Sequence, residues 1–90
     1  MNKFEILLIE DDLIEKMKFE RVLNGLGYNV DLVVRDNGQK GIDYLEEGNS
    51  PSVILLDLNM PEMNGIEFLS YVFENENLRH FPVMLSLIHI

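Results

Sequence analysis

The sequence predicts an α/β fold, an open doubly wound parallel sheet with helices on both faces, and three observations carry that expectation. Short apolar runs recur four times along the 90 residues. Stretches with apolar residues at helical spacing separate them. The first and third runs are apolar at every position instead of alternating, as strands covered on both sides are. The order read along the chain is βαβαβαβ, with right-handed crossovers between parallel strands.

Ile6-Leu7-Leu8-Ile9 is the first strand, stopped by Glu10-Asp11-Asp12. A helix follows from Asp12 to Leu26, with Leu13, Met17, Val22, Leu23 and Leu26 at helical spacing, Asp11 or Asp12 as its cap and Gly27 as a left-handed stop. Val30 to Val34 is the second strand. Asp36-Asn37-Gly38-Gln39 then makes a turn that doubles as a capping box for a short helix carrying Ile42 and Leu45. Gly48, Asn49, Ser50 and Pro51 end that helix. Val53-Ile54-Leu55-Leu56 is the third strand and terminates in Asp57. The loop Leu58 to Asn64 holds Pro61, and Asn64-Gly65-Ile66-Glu67 offers a second capping box for a helix expected to bury Ile66, Leu69, Val72 and Phe73. A polar stretch from Glu74 to His80 leads into the fourth strand at Phe81-Pro82-Val83-Met84-Leu85.

Composition narrows the function classes. Seven Lys and Arg stand against 16 Asp and Glu, a formal net charge of −9. Nucleic acid and anionic membrane surfaces both call for basic protein surface, so neither is an expected partner. An apolar content of 47% is enough for a core, which argues against disorder. The length fits one small domain, without repeats or linkers. With no cysteine there is neither a disulfide framework nor a thiolate metal site. The N-terminus lacks the pattern of a secretory signal, and the expected location is the cytoplasm.

In such sheets, ligands bind beyond the carboxyl ends of the strands, where the strand order reverses. Asp11 and Asp12 follow the first strand and Asp57 the third, so neighbouring strands would bring three acids to one rim. Clustered carboxylates repel unless a cation or a shared proton compensates. Mg2+ takes hard oxygen ligands and commonly combines one or two carboxylates with phosphate oxygens and water. An ionised aspartate is also a nucleophile at neutral pH without a base to activate it. Each acid taken singly reads first as a helix cap, and only the three together point to a site. Chemistry alone therefore reaches an acidic metal site with phosphoryl transfer as one option.

The segments Ile6-Leu7-Leu8-Ile9-Glu10-Asp11-Asp12 and Val53-Ile54-Leu55-Leu56-Asp57-Leu58-Asn59-Met60-Pro61-Glu62-Met63-Asn64-Gly65 resemble the receiver domain of bacterial two-component response regulators. The likeness runs from about Lys3 to Met84. An acidic pair after the first strand and an aspartate after the third, with proline and glycine following at the family spacing, seldom coincide elsewhere. The resemblance implies a flavodoxin-like receiver fold and a phosphorelay switch. Asp57 is then the phosphoacceptor, served by a phosphohistidine on a sensor histidine kinase or histidine phosphotransfer protein, with Mg2+ as cofactor. It further implies that the Asp12 and Asp57 side chains and the main-chain carbonyl of Asn59 bind the metal directly. Asp11 would hold a metal-bound water, and Pro61 and Gly65 would shape the loop under the acceptor.

The pattern is incomplete at its C-terminal side. Receivers have five strands and five helices, with a Ser or Thr after the fourth strand and a Lys after the fifth. Ser86 is the candidate hydroxyl, one residue earlier than the family spacing, and the lysine has no counterpart in this chain. Residues 85–90, Leu85-Ser86-Leu87-Ile88-His89-Ile90, are what CTG-TCT-CTT-ATA-CAC-ATC encodes, a string that resembles a transposon-end sequencing adapter. The expected organisation is therefore a truncated receiver domain over 1–84 and an adapter-derived tail over 85–90. A competing class is an aspartyl-phosphate-forming phosphatase of the haloacid dehalogenase type, which needs an acid where Asn59 stands. An inactive receiver fragment is a further alternative. A dinucleotide enzyme is disfavoured because the first turn holds acids and no glycine fingerprint.

Overall fold

The computed structural model describes residues 4–27, 29–57 and 65–86. Strand β1 (Phe4–Ile9) is followed by helix α1 (Leu13–Leu26), strand β2 (Val30–Arg35) and helix α2 (Gly38–Glu46). Strand β3 (Val53–Asp57), helix α3 (Gly65–Glu74) and strand β4 (Val83–Ser86) complete the order. All strand pairs are parallel, and the sheet order is β2-β1-β3-β4. The expected βαβαβαβ succession and parallel sheet are both present. After β2 the chain crosses to the other side of β1, so the order reverses between β1 and β3, where the acids were expected to meet.

Alternation along the strands divides the apolar residues between two faces. Leu7 pairs with Ile54 and Ile9 with Leu56. These four side chains join Ile42 and Leu45 of α2, Phe68 and Val72 of α3, and Leu78 and Phe81 in one buried core. Helix α2 sits close to the sheet because position 41 is glycine: a Cβ there would lie 2.4 Å from Cδ1 of Ile9 and 3.3 Å from Cε1 of Phe68.

The other face is only partly covered. Leu8, Leu55 and Met84 are register neighbours across β1, β3 and β4. Together with Phe19 and Val22 of α1 they line a groove of about 520 Å³. A helix is about 10 Å across and strands are about 4.8 Å apart, so one helix shields roughly two of four strands. Consequently α1 carries no buried residue. Leu13, Met17, Val22 and Leu26, expected on its core side, are exposed, and the half-buried residues are Glu15, Lys16, Phe19 and Leu23.

Helix α3 also turns differently from the expectation. It buries Gly65, Phe68 and Val72, whereas Ile66 and Phe73 are exposed and Leu69 is partly buried. Each residue advances about 100° around a helix, and the side that meets the core follows the line from Gly65 through Phe68 to Val72. The cap of α2 is likewise shifted. Asn37 is the N-cap and accepts from the Lys40 amide, while Gln39 donates to Asp43 instead of closing a capping box. Gly27 ends α1 at φ 72°, the left-handed stop that the sequence called for.

Candidate functional site

Two strands deliver acids to the same rim in the same way. In β1 four apolar residues precede Glu10, and in β3 four apolar residues precede Asp57. Ile9 and Leu56 are register partners, so Glu10 and Asp57 stand one step beyond the last pair. Glu10, Asp11 and Asp57 each offer a carboxylate oxygen, and these oxygens lie within 4.8 Å of one another. Glu10 and Asp57 are buried and Asp11 is exposed.

Backbone groups fix the position of Glu10. Its amide donates to the carbonyl of Arg35 in β2 at 3.0 Å. Its carboxylate accepts from the Asp12 amide at 3.2 Å. Burial pushes the Glu10 carboxyl up to about 7, the nearby charges of Asp57 and Asp11 and a hydrogen bond with Asp57 act in the same direction, and the Asp12 amide opposes them. Glu10 is therefore harder to ionise than an ordinary glutamate.

Asp12 does something else. Its Oδ1 accepts from the amides of Ile14 at 2.8 Å and Glu15 at 3.1 Å, which makes it the N-cap of α1. Among the described residues it stands outside the carboxylate group, which Glu10 joins instead. The signal for Glu10 was present in the sequence as the matching pattern of four apolar residues and then an acid. Gly65 is the buried first residue of α3. Ser86 ends β4 with its backbone opposite Asp57. Asn59 and Pro61 lie outside the described residues.

The groove on the α1 face opens onto this rim, since Glu10 and Asp57 line it together with Leu8, Leu55 and Phe19. The donor set is hard oxygen throughout, it carries surplus negative charge, and the Glu10 carboxyl is held above the ordinary carboxylate range. Those are the properties of a site that fits a small divalent cation such as Mg2+.

A family profile described as response regulator receiver domain matches residues 6–88. The chain belongs to the response regulator receiver domain family. The receiver is 36% identical over 87 residues to the probable methanogenesis regulatory protein FilR2 of Methanothrix harundinacea, covering 91% of this chain. It spans 56% of that relative's length. Among solved structures, the bacteriophytochrome response regulator AtBRR is similar with a TM-score of 0.86 at 31% identity, over 94% of this receiver and 66% of the other chain. The Mn2+-bound form of response regulator Rcp1 is similar with a TM-score of 0.82 at 28% identity, over 96% and 68%. The receiver is accordingly a signalling domain of the two-component type with the flavodoxin-like fold. No described helix is long and apolar enough to cross a membrane.

Proposed function

We propose that this receiver accepts a phosphoryl group on Asp57 from the phosphohistidine of a sensor histidine kinase or histidine phosphotransfer protein, with Mg2+ bound beside it. The observation that carries the reading is the buried Asp57 carboxylate at the end of β3, within 4.8 Å of the Glu10 and Asp11 oxygens. A carboxylate oxygen of Asp57 attacks phosphorus, the bond from phosphorus to the donor imidazole nitrogen breaks, and that imidazole leaves with the electron pair and takes a proton. Bound Mg2+ supplies charge neutralisation for the acids and the transferred oxygens.

The remaining roles are proposed with it. Asp11 and Asp57 serve as metal-holding carboxylates, Glu10 takes the third place, and the Asn59 carbonyl is the proposed main-chain ligand. Asp12 keeps the start of α1 in place through its two amide contacts. Pro61 and Gly65 shape the loop under Asp57, and Ser86 is retained as the hydroxyl position. No turnover of a free phosphate ester is expected, because Asn59 cannot act as the acid that a phosphatase needs two residues after its nucleophile. A cytoplasmic location goes with this reading, and the absence of cysteine fits it.

The test is incubation with acetyl phosphate and Mg2+. An acid-stable, base-labile adduct that Asp57→Asn abolishes supports the reading. Release of phosphate from a free ester with steady turnover would favour the phosphatase.

A further inference from the structure

The carboxylate group hangs on a loop whose far end is the first turn of α1, and that helix is poorly anchored by packing because none of its side chains is buried. Its orientation therefore leans on polar ties beside the half-buried Phe19 and Leu23. One tie stands out: Lys16 of α1 donates to Asp36, the residue that follows β2. Lys40 of α2 approaches the other oxygen of Asp36 at 3.7 Å. The Lys16 side chain is only 20% exposed although its partner is 58% exposed, so the lysine stem is packed and its head is directed.

These contacts close a ring around the acids. The Glu10 amide is held by Arg35, the neighbour of Asp36. The Lys16 amide donates to the carbonyl of Asp12 at 3.0 Å. The Asp12 amide in turn donates to the Glu10 carboxylate. Loop, helix turn and strand end are thus joined at both ends of the segment Glu10–Asp12, with Asp11 in its middle.

We propose that the Lys16–Asp36 bridge is a positioning clamp that holds the Glu10–Asp12 segment in a metal-binding arrangement. The inference rests on the proposed metal site and adds residues that touch no metal. An exposed ion pair contributes little to stability, about 0–1 kcal/mol. Outer partners of a metal site matter more to affinity, where their loss typically weakens binding about 10-fold or more. The clamp therefore separates two readouts, fold stability and metal affinity.

A change at Lys16 also separates positioning from simple charge. Removing a cation from the surface around an acidic site strengthens Mg2+ binding if only the field matters. Loss of a clamp weakens it. The experiment titrates the full chain with Mg2+ calorimetrically and records thermal unfolding in EDTA for wild type, Lys16→Met, Lys16→Arg and the swapped pair Lys16→Asp with Asp36→Lys. The expected result is binding about 10-fold weaker for Lys16→Met with little change of midpoint in EDTA. Lys16→Arg and the swapped pair recover affinity toward wild type. Equal or tighter binding by Lys16→Met overturns the clamp while leaving the metal site standing. If Lys16→Met loses its fold, the swapped pair decides: recovery supports the clamp, and weak binding with an intact fold overturns it. Absence of Mg2+ binding by the wild-type chain overturns both the site and the clamp.

Discussion

The Asp12 amide donates to the carboxylate of Glu10 at 3.2 Å, while the Asp12 carboxylate turns away to cap α1. Adjacent residues in one acidic run therefore have separate tasks. Glu10 faces Asp57 inside the rim, and Asp12 secures the helix that follows.

That division predicts different outcomes for neighbouring substitutions. Asp12→Ala removes an N-cap and should cost about 1 kcal/mol of stability, while Mg2+ binding persists. Asp11→Asn should leave the unfolding midpoint in EDTA nearly unchanged and weaken Mg2+ binding strongly. Thermal unfolding and Mg2+ titration on the two variants check the assignment, and loss of binding only in Asp12→Ala would reverse it.

The pH dependence follows from Glu10. Its carboxyl titrates near 7 in the folded protein, above the ordinary value of 4.5, through burial first and the neighbouring acids next. Between those values the folded state binds more protons than the unfolded one, so metal-free stability falls as pH rises from about 4.5 through about 7. Mg2+ binding, which needs the ionised form, should weaken as pH falls below about 7 and should release a proton. Unfolding midpoints in EDTA across this range should show the decline, and Glu10→Gln should flatten it.

Close approach of α2 to the sheet gives a packing test. Gly41→Ala places a Cβ against Ile9 and Phe68, both fully buried, at distances of 2.4 Å and 3.3 Å that require one of them to move. Overpacking of this kind costs about 1–3 kcal/mol. Chemical unfolding should show the loss, and an unchanged midpoint would mean that α2 has room to shift.

Exposed apolar surface gives a solution prediction. Leu13, Ile14, Met17, Val22 and Leu26 on α1 and Met84 and Leu85 on β4 are all exposed, and Val22, Met84 and Leu85 line the groove over the sheet. Surface of this kind drives association. The 90-residue chain should bind a hydrophobic dye and elute at a position that depends on concentration. A monomer with a sharp cooperative transition and no dye binding would contradict this.

The strands were legible because their signal is local. Ile6 to Ile9 are each buried, as an unbroken apolar run requires, and Gly27 adopts the positive φ for which its position asked. Helix sides were harder, since apolar spacing shows that a helix has a core side without showing how much of it the sheet can cover. Val22 obeys the helical spacing and still lies 60% exposed beside the groove. At the site, Asp57 was legible as the acid ending an apolar strand. Glu10 is less legible because Asp11 and Asp12 form the more conspicuous pair, although Glu10 matches Asp57 in its distance from the start of its own apolar run.

Phosphorylation with acetyl phosphate and Mg2+, followed by intact-mass measurement, tests the central claim most directly. The account predicts a single base-labile adduct on the wild-type chain, lost in Asp57→Asn and suppressed by EDTA. An adduct that persists in Asp57→Asn, or a folded wild-type chain that takes no phosphoryl group, would contradict it.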